Sequence, residues 1–144
     1  MGIGGTAMAA LAGLLVQAGY TVTGSDGNVV YPPMSDVLNA LGITPMVGYK
    51  ALNLHPHPDL VIVGNVIRAI YEEAQYLTNS DIPYMSFPSL LGAQFIAQKK
   101  SLVVAGTHGK TTTTSLLSWL LESAGAKPGY LIGGAALNFT QTSS

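Results

Sequence analysis

Val103-Val104-Ala105-Gly106-Thr107-His108-Gly109-Lys110-Thr111 is the stretch that decides the fold class. An apolar run enters a glycine turn, and Lys-Thr then opens a segment of helical length. Strand, glycine loop and helix in that order have the logic of a P-loop. Backbone N–H groups converge in the turn, and the positive end of the helix dipole faces the same point. Lys110 supplies a point charge for β- and γ-phosphates, and the Thr111 hydroxyl is an oxygen donor suited to Mg²⁺. The predicted ATP-binding set is therefore Gly106, Thr107, His108, Gly109, Lys110, Thr111 and Thr112, with Lys110 as the catalytic cation and Thr111 as the metal ligand. The form is the short G-T-x-G-K-T, because Val104 stands where the strict pattern has glycine. A glycine turn before a helix whose lysine is merely solvated is the competing reading, and it leaves the order of the elements unexplained. Thr112, Thr113 and Thr114 suit a helix start, where hydroxyls can satisfy free N–H groups. His108 reads equally as a phosphate contact or as a permissive turn position.

Outward from this stretch, short apolar runs alternate with helix-length segments, the pattern of an α/β fold with a parallel sheet. Helices are predicted over 7–18, 34–41, 70–78, 89–98 and 110–124, and strands over 20–23, 43–47, 60–63, 82–85, 102–105 and 130–132. Gly19 and Gly42 suit left-handed caps after the first two helices. Pro56 and Pro58 keep 54–58 out of regular structure. A boundary is expected at Lys99-Lys100. Residues 1–98 read as a Rossmann-like parallel sheet with helices on both faces. Residues 99–144 read as the first strand, P-loop and helix of a second α/β ATP-binding domain, too short to be complete.

A second glycine loop, Gly2-Ile3-Gly4-Gly5-Thr6-Ala7, matches G-x-G-x-x-[GA], and the acidic Asp26 follows the next strand-like run at about the ~20-residue spacing of dinucleotide sites. Such a loop should follow a strand, yet only Met1 precedes it, so the first strand is expected to be missing. Alone, the motif would suggest NAD, with Asp26 on a ribose hydroxyl. The same geometry serves any nucleotide diphosphate, because a helix N-terminus attracts pyrophosphate whatever is attached to it. Asn65 and Arg68 follow the strand over 60–63, at the carboxyl edge where ligands of open α/β sheets bind. Arg68 could hold a phosphate or carboxylate, or take part in a surface ion pair.

Composition narrows the remaining classes. Charged residues make up 9% of the 144-residue chain, against about 25% in an ordinary soluble domain, while hydrophobic residues reach 48%. Strands buried on both faces, or surface normally covered by more protein, would each produce this. The net charge of −1 and the absence of a basic run speak against nucleic acid and against a basic membrane-surface helix. The absence of cysteine excludes disulfides, thiolate metal sites and a cysteine nucleophile. The apolar 7–18 segment is too short to span a bilayer and lacks the basic flank of a leader. His55 and His57 read as a surface loop, Glu72 and Glu73 as a solvated edge, and Trp119 with Leu116, Leu120 and Ala124 as helix packing.

Two nucleotide loops in this order, the second reading Gly106-Thr107-His108-Gly109-Lys110 and then four threonines, resemble the Mur ligase family. Gly24-Ser25-Asp26, Val30-Tyr31-Pro32-Pro33-Met34-Ser35, Val63-Gly64-Asn65, Ile82-Pro83-Tyr84-Met85-Ser86, 128–134 and Leu137-Asn138-Phe139 resemble it too. Within the family they look like the branch that attaches a recycled cell-wall tripeptide to UDP-N-acetylmuramate. Tyr31-Pro32-Pro33-Met34-Ser35 separates them from the branch that adds L-alanine. The resemblance implies a cytoplasmic three-domain peptidoglycan enzyme using ATP and Mg²⁺. Its first domain would bind the UDP-substrate through Gly2, Ile3, Gly4, Gly5, Thr6, Ser25, Asp26, Asn65 and Arg68, and its central domain would bind ATP. The family phosphorylates the substrate carboxylate, and an incoming amine then attacks the acyl phosphate to give an amide. Two departures stand out. Val29-Val30 is one residue longer than the family's usual segment, and Ala69-Ile70-Tyr71 stands where the family tends to Gly-Asn-Pro. Further metal ligands and the amine-binding domain would lie beyond Ser144, so this chain alone is not expected to complete the reaction.

Overall fold

The computed structural model describes residues 1–133; Gly134 and the Leu137-Asn138-Phe139 segment lie outside them. The elements are α1 (Thr6–Gln17), β1 (Ser25–Asp26), α2 (Met34–Ala40), β2 (Met46–Val47), a 3-10 turn (Ala51–Leu54), β3 (Val61–Val63), α3 (Glu72–Thr78), β4 (Tyr84–Ser86), α4 (Phe87–Leu90), a π-helical turn (Leu91–Ile96) and α5 (Lys110–Ser123).

The glycine stops act as the sequence indicates. After α1, Gly19 takes φ +89° and the amides of Gly19 and Tyr20 turn back to the carbonyls of Val16 and Leu15. After α2, Gly42 takes φ +73° and Gly42 and Ile43 bond to Asn39 and Leu38 in the same way. Each is a Schellman cap, whose left-handed residue is strained for anything with a Cβ.

β1 pairs with β2 and β3 pairs with β4, both in parallel. Residues 1–3 lie between the two pairs. The Met1 amine donates to Ile62 O (2.9 Å) and the Gly64 amide to Met1 O (3.1 Å), the reciprocal pattern of a parallel ladder. On the other side, Gly2 and Ile3 both donate to Ser25 O, at 2.8 and 3.0 Å. The spatial order is thus β2, β1, residues 1–3, β3, β4. Three residues occupy the centre of the parallel sheet, in the place where the sequence calls for a first strand.

This short centre explains one correction. The strand expected over 20–23 forms no ladder; only Ser25–Asp26 is paired. Thr21, Val22 and Thr23 line a cavity of about 300 Å³ together with Leu60, Val61 and Ile62. A β-propensity is realised only against a neighbouring backbone.

Two apolar cores flank the sheet. Ile3, Ala9, Ala12, Met34, Leu38 and Ile43 join α1 to α2, whereas Met1, Leu54, Val61, Ala74, Leu77 and Ile82 gather under α3. Emptying Leu38 or Leu77 to alanine is expected to cost about 2–5 kcal/mol.

Beyond residue 98 the packing is sparse. The strand expected over 102–105 has no ladder partner among the described residues, and Val103 is 81% exposed. The helix expected over 89–98 forms two residues earlier, as a continuous helical stretch whose first turn is α (Phe87–Leu90) and whose remainder is π (Leu91–Ile96). α5 forms as predicted, but its apolar stripe is not packed as read: Leu116 and Leu120 are exposed, at 59% and 64%.

Candidate functional site

A groove of about 590 Å³ opens at the carboxyl ends of the strands. Gly2, Gly4, Gly5 and Thr6 from the first glycine loop line it, with Asp26 at the end of β1 and Asn65 after β3. Met34 and the preceding segment 29–33 form one wall, and Val66 and Phe87 belong to the same lining. Sequence reasoning brought six of its own site residues here and missed the apolar walls. Only the Tyr-Pro-Pro-Met-Ser resemblance pointed to them, without a role.

The loop is closely fitted. A Cβ on Gly4 would stand 2.8 Å from Val30 Cγ2 and 2.9 Å from Asp26 Oδ2, so any larger residue there must displace one of these side chains. The Asp26 carboxylate accepts the Gly4 amide at 2.8 Å. Gly5 is the N-cap of α1 and offers no side-chain acceptor. The amides of Thr6, Ala7 and Met8 find no acceptor within the described chain, leaving the positive end of a twelve-residue helix open to the groove. Oxyanions of a diphosphate suit such an end.

The other predicted contacts lie elsewhere. Ile3 is buried, with its side chain against Gly24. Ser25 is buried and donates its hydroxyl to Glu73 Oε1 at 2.9 Å, on the side away from the groove. Arg68 is exposed and does not line the groove. Glu73, read as a solvated edge, is 2% exposed, which corrects that reading. It shares the inward face of α3 with Ala74 and Leu77, and that i, i+1, i+4 pattern was the available signal.

Tyr49 borders the same region. It stacks on Tyr71 with ring centroids 4.8 Å apart, and its ring lies against Gly27. Burial, with the Asp26 charge adding to it, raises the Tyr49 hydroxyl above its ordinary 10.0.

The second loop is more open. Gly109 caps α5 at φ +75°, and the amides from Thr107 to Thr112 find no acceptor within the described chain. Lys110 Nζ donates to the carbonyls of Gly106 and Thr107, the latter at 3.1 Å, so its charge is folded over the loop. Backbone N–H donors without an acceptor among the described residues, the Lys110 amine beside them and an exposed Thr111 fit a triphosphate with its cation. The threonines depart from the expectation in part. Thr114 donates back to Lys110 O and Ser115 to Thr111 O, and no side chain caps the helix. His108 is exposed.

His55 and His57 are exposed, as a surface loop should be, with His57 Nε2 2.8 Å from the Tyr76 hydroxyl. Among the described residues, no three His, Asp or Glu side chains are placed to hold a metal. No helix there is long and apolar enough to cross a membrane.

Comparison with known proteins places this geometry. Residues 1–100 match the Mur ligase family, catalytic domain. The UDP-N-acetylmuramate--L-alanyl-gamma-D-glutamyl-meso-2,6-diaminoheptandioate ligase of Escherichia coli K12 is 48% identical over 139 residues, 96% of this chain and 30% of that protein. A UDP-N-acetylmuramate--L-alanine ligase of Lachnoclostridium phytofermentans is 37% identical over 134 residues, 93% of this chain and 28% of that one. The crystal structure of a UDP-N-acetylmuramate:L-alanyl-gamma-D-glutamyl-meso-diaminopimelate ligase from Neisseria meningitides superposes with a TM-score of 0.93 at 43% identity, over 99% of this chain and 44% of that one. The chain thus spans about a third of the length of the curated relatives it matches.

Proposed function

Since the chain belongs to the Mur ligase family, we propose that it is the N-terminal part of a cytoplasmic, ADP-forming amide ligase that joins UDP-N-acetylmuramate to a recycled cell-wall tripeptide. The observation that carries this reading is the groove at the strand ends, where the open N-terminus of α1 meets Asp26, Asn65 and the apolar 29–34 wall. The higher identity to the tripeptide-adding relative than to the L-alanine-adding one favours the larger amine substrate.

In this reading residues 1–98 are the UDP-substrate domain and residues 99–144 begin the central ATP-binding domain. The amides of Thr6 to Met8 receive the diphosphate, and Asp26 keeps Gly4 in place beneath it. Arg68, outside the groove lining, would reach a bound ligand only by turning inward. Gly106 to Thr112 hold the triphosphate, with Thr111 toward Mg²⁺ and Lys110 exchanging its loop carbonyls for phosphate oxygens. Bound there, ATP supplies the phosphoryl group that activates the substrate carboxylate. The exposed Val103, Leu116 and Leu120 are surface for the remainder of the central domain.

Parallel calorimetric and thermal-shift titrations with UDP-N-acetylmuramate, Mg-ATP and NAD test the proposal, since a ligand that binds only the folded chain raises its melting point. A response to the UDP-sugar and none to NAD is expected. A response to NAD alone would replace the ligase reading with a dehydrogenase one.

A further inference from the structure

Glu73 is a buried carboxylate to which the proposed chemistry assigns nothing. It sits in the first turn of α3, with Oε1 accepting the Ser25 hydroxyl at 2.9 Å and Oε2 accepting the Asn53 side-chain amide at 3.1 Å. Both bonds lead to the glycine loop. Ser25 offers its carbonyl to the amides of Gly2 and Ile3. Asn53 also donates to Gly48 O at 2.7 Å, and the Gly48 amide donates to Asp26 O at 2.7 Å. Asp26 in turn holds the Gly4 amide. The Glu73 amide closes the ring by donating to Tyr49 O at 3.2 Å.

One carboxylate therefore grips, by two independent routes, the two consecutive residues that shape the loop. We infer that Glu73 is a positioning residue for the nucleotide-diphosphate site, holding Ser25-Asp26 so that Gly2, Ile3 and Gly4 are set before the ligand arrives. A buried carboxylate is expensive unless its lone pairs are satisfied, and this one is satisfied by groups of the site's own scaffold. An apolar side chain there would leave the Ser25 hydroxyl and the Asn53 amide without this acceptor. The inference rests on the reading of the groove as a UDP-sugar site for its ligand, and on the hydrogen-bond network alone for its mechanism.

The test compares the wild-type chain with Glu73→Ala, Glu73→Gln and Leu77→Ala. Leu77 is equally buried, one turn along α3, and hydrogen-bonds to neither Ser25 nor Asn53 through its side chain. Two quantities are read, affinity for UDP-N-acetylmuramate and hydrogen exchange at the amides of Gly2, Ile3 and Gly4. Glu73→Ala is expected to speed exchange at those amides and weaken binding by about tenfold. Glu73→Gln keeps an acceptor for Ser25 but turns a donor toward the Asn53 amide, so it is expected to fall between Glu73→Ala and the wild type in both. Leu77→Ala is expected to lower the melting point without singling out those amides. If Glu73→Ala fails to fold, Ser25→Ala cuts the first route from its other end and is read the same way. Exchange at the three amides no faster in Glu73→Ala, or in Ser25→Ala where that replaces it, than in Leu77→Ala would overturn the inference. If the wild-type chain ignores the UDP-sugar, the ligand assignment fails while the exchange data still decide the role of Glu73.

Discussion

The Asp26 carboxylate accepts the Gly4 amide at 2.8 Å, so the acidic residue at the end of β1 is tied directly to the glycine loop. A hydrogen bond to an ionised acceptor contributes about 1.5–3 kcal/mol. Asp26→Ala is therefore expected to lower the melting point by several degrees and to weaken UDP-sugar binding. Asp26→Asn keeps an acceptor oxygen and is expected to fall between the two. Melting curves with and without UDP-N-acetylmuramate check this, and equal melting points for the wild type and Asp26→Ala would show that the bond holds nothing.

The space around the two neighbouring glycines gives a paired prediction. A methyl group on Gly4 meets Val30 and Asp26 at under 3 Å, whereas one on Gly5 meets nothing nearer than Gly2 O at 3.7 Å. Gly5 also has an ordinary φ of −70°. Gly4→Ala is expected to abolish stabilisation by the UDP-sugar, because either the groove wall or Asp26 must move. Gly5→Ala is expected to have a much milder effect. Calorimetry on both variants reads the difference, and similar losses would place the constraint in the ligand rather than in the protein.

Legibility of the sequence followed the range of the physics. Gly19 and Gly42 were readable as caps because a Schellman motif is completed within six residues. The groove residues Gly2, Gly4, Asp26 and Asn65 were readable because glycine turns and strand ends carry local signatures. The strand expected over 20–23 forms no ladder, because pairing depends on a neighbour that local sequence does not contain. The burial of Glu73 has a local signature in Ala74 and Leu77 on the same helix face, but its bond to Ser25, 48 residues away, has none.

The Lys110 amine lies over its own loop, bonded to Gly106 O and Thr107 O. Lys110→Ala is expected to remove any response to Mg-ATP while leaving UDP-sugar affinity within about twofold, since sites without shared partners behave additively. Separate calorimetric titrations distinguish the outcomes. Retained Mg-ATP binding in the variant would mean that the loop amides alone hold the triphosphate.

Tyr49 provides a prediction in pH. Its hydroxyl is raised above 10.0 in the folded chain, first by burial and then by the Asp26 charge. A group whose folded pKa exceeds its unfolded value contributes stability that is complete below the unfolded pKa and lost as pH rises through the folded one. The folded chain should thus lose stability above about pH 10, where unfolded tyrosine ionises freely and folded Tyr49 resists. Lysines titrate over the same range, so the wild type alone cannot isolate the effect. Tyr49→Phe keeps the ring that stacks on Tyr71 and removes the ionisable oxygen. The difference in melting point between wild type and variant is expected to be constant from neutral pH to about pH 9 and to move in favour of the variant above about pH 10. A difference that stays constant through the alkaline range would mean that the Tyr49 hydroxyl meets the same surroundings folded and unfolded, and that the Asp26 charge is screened from it by water.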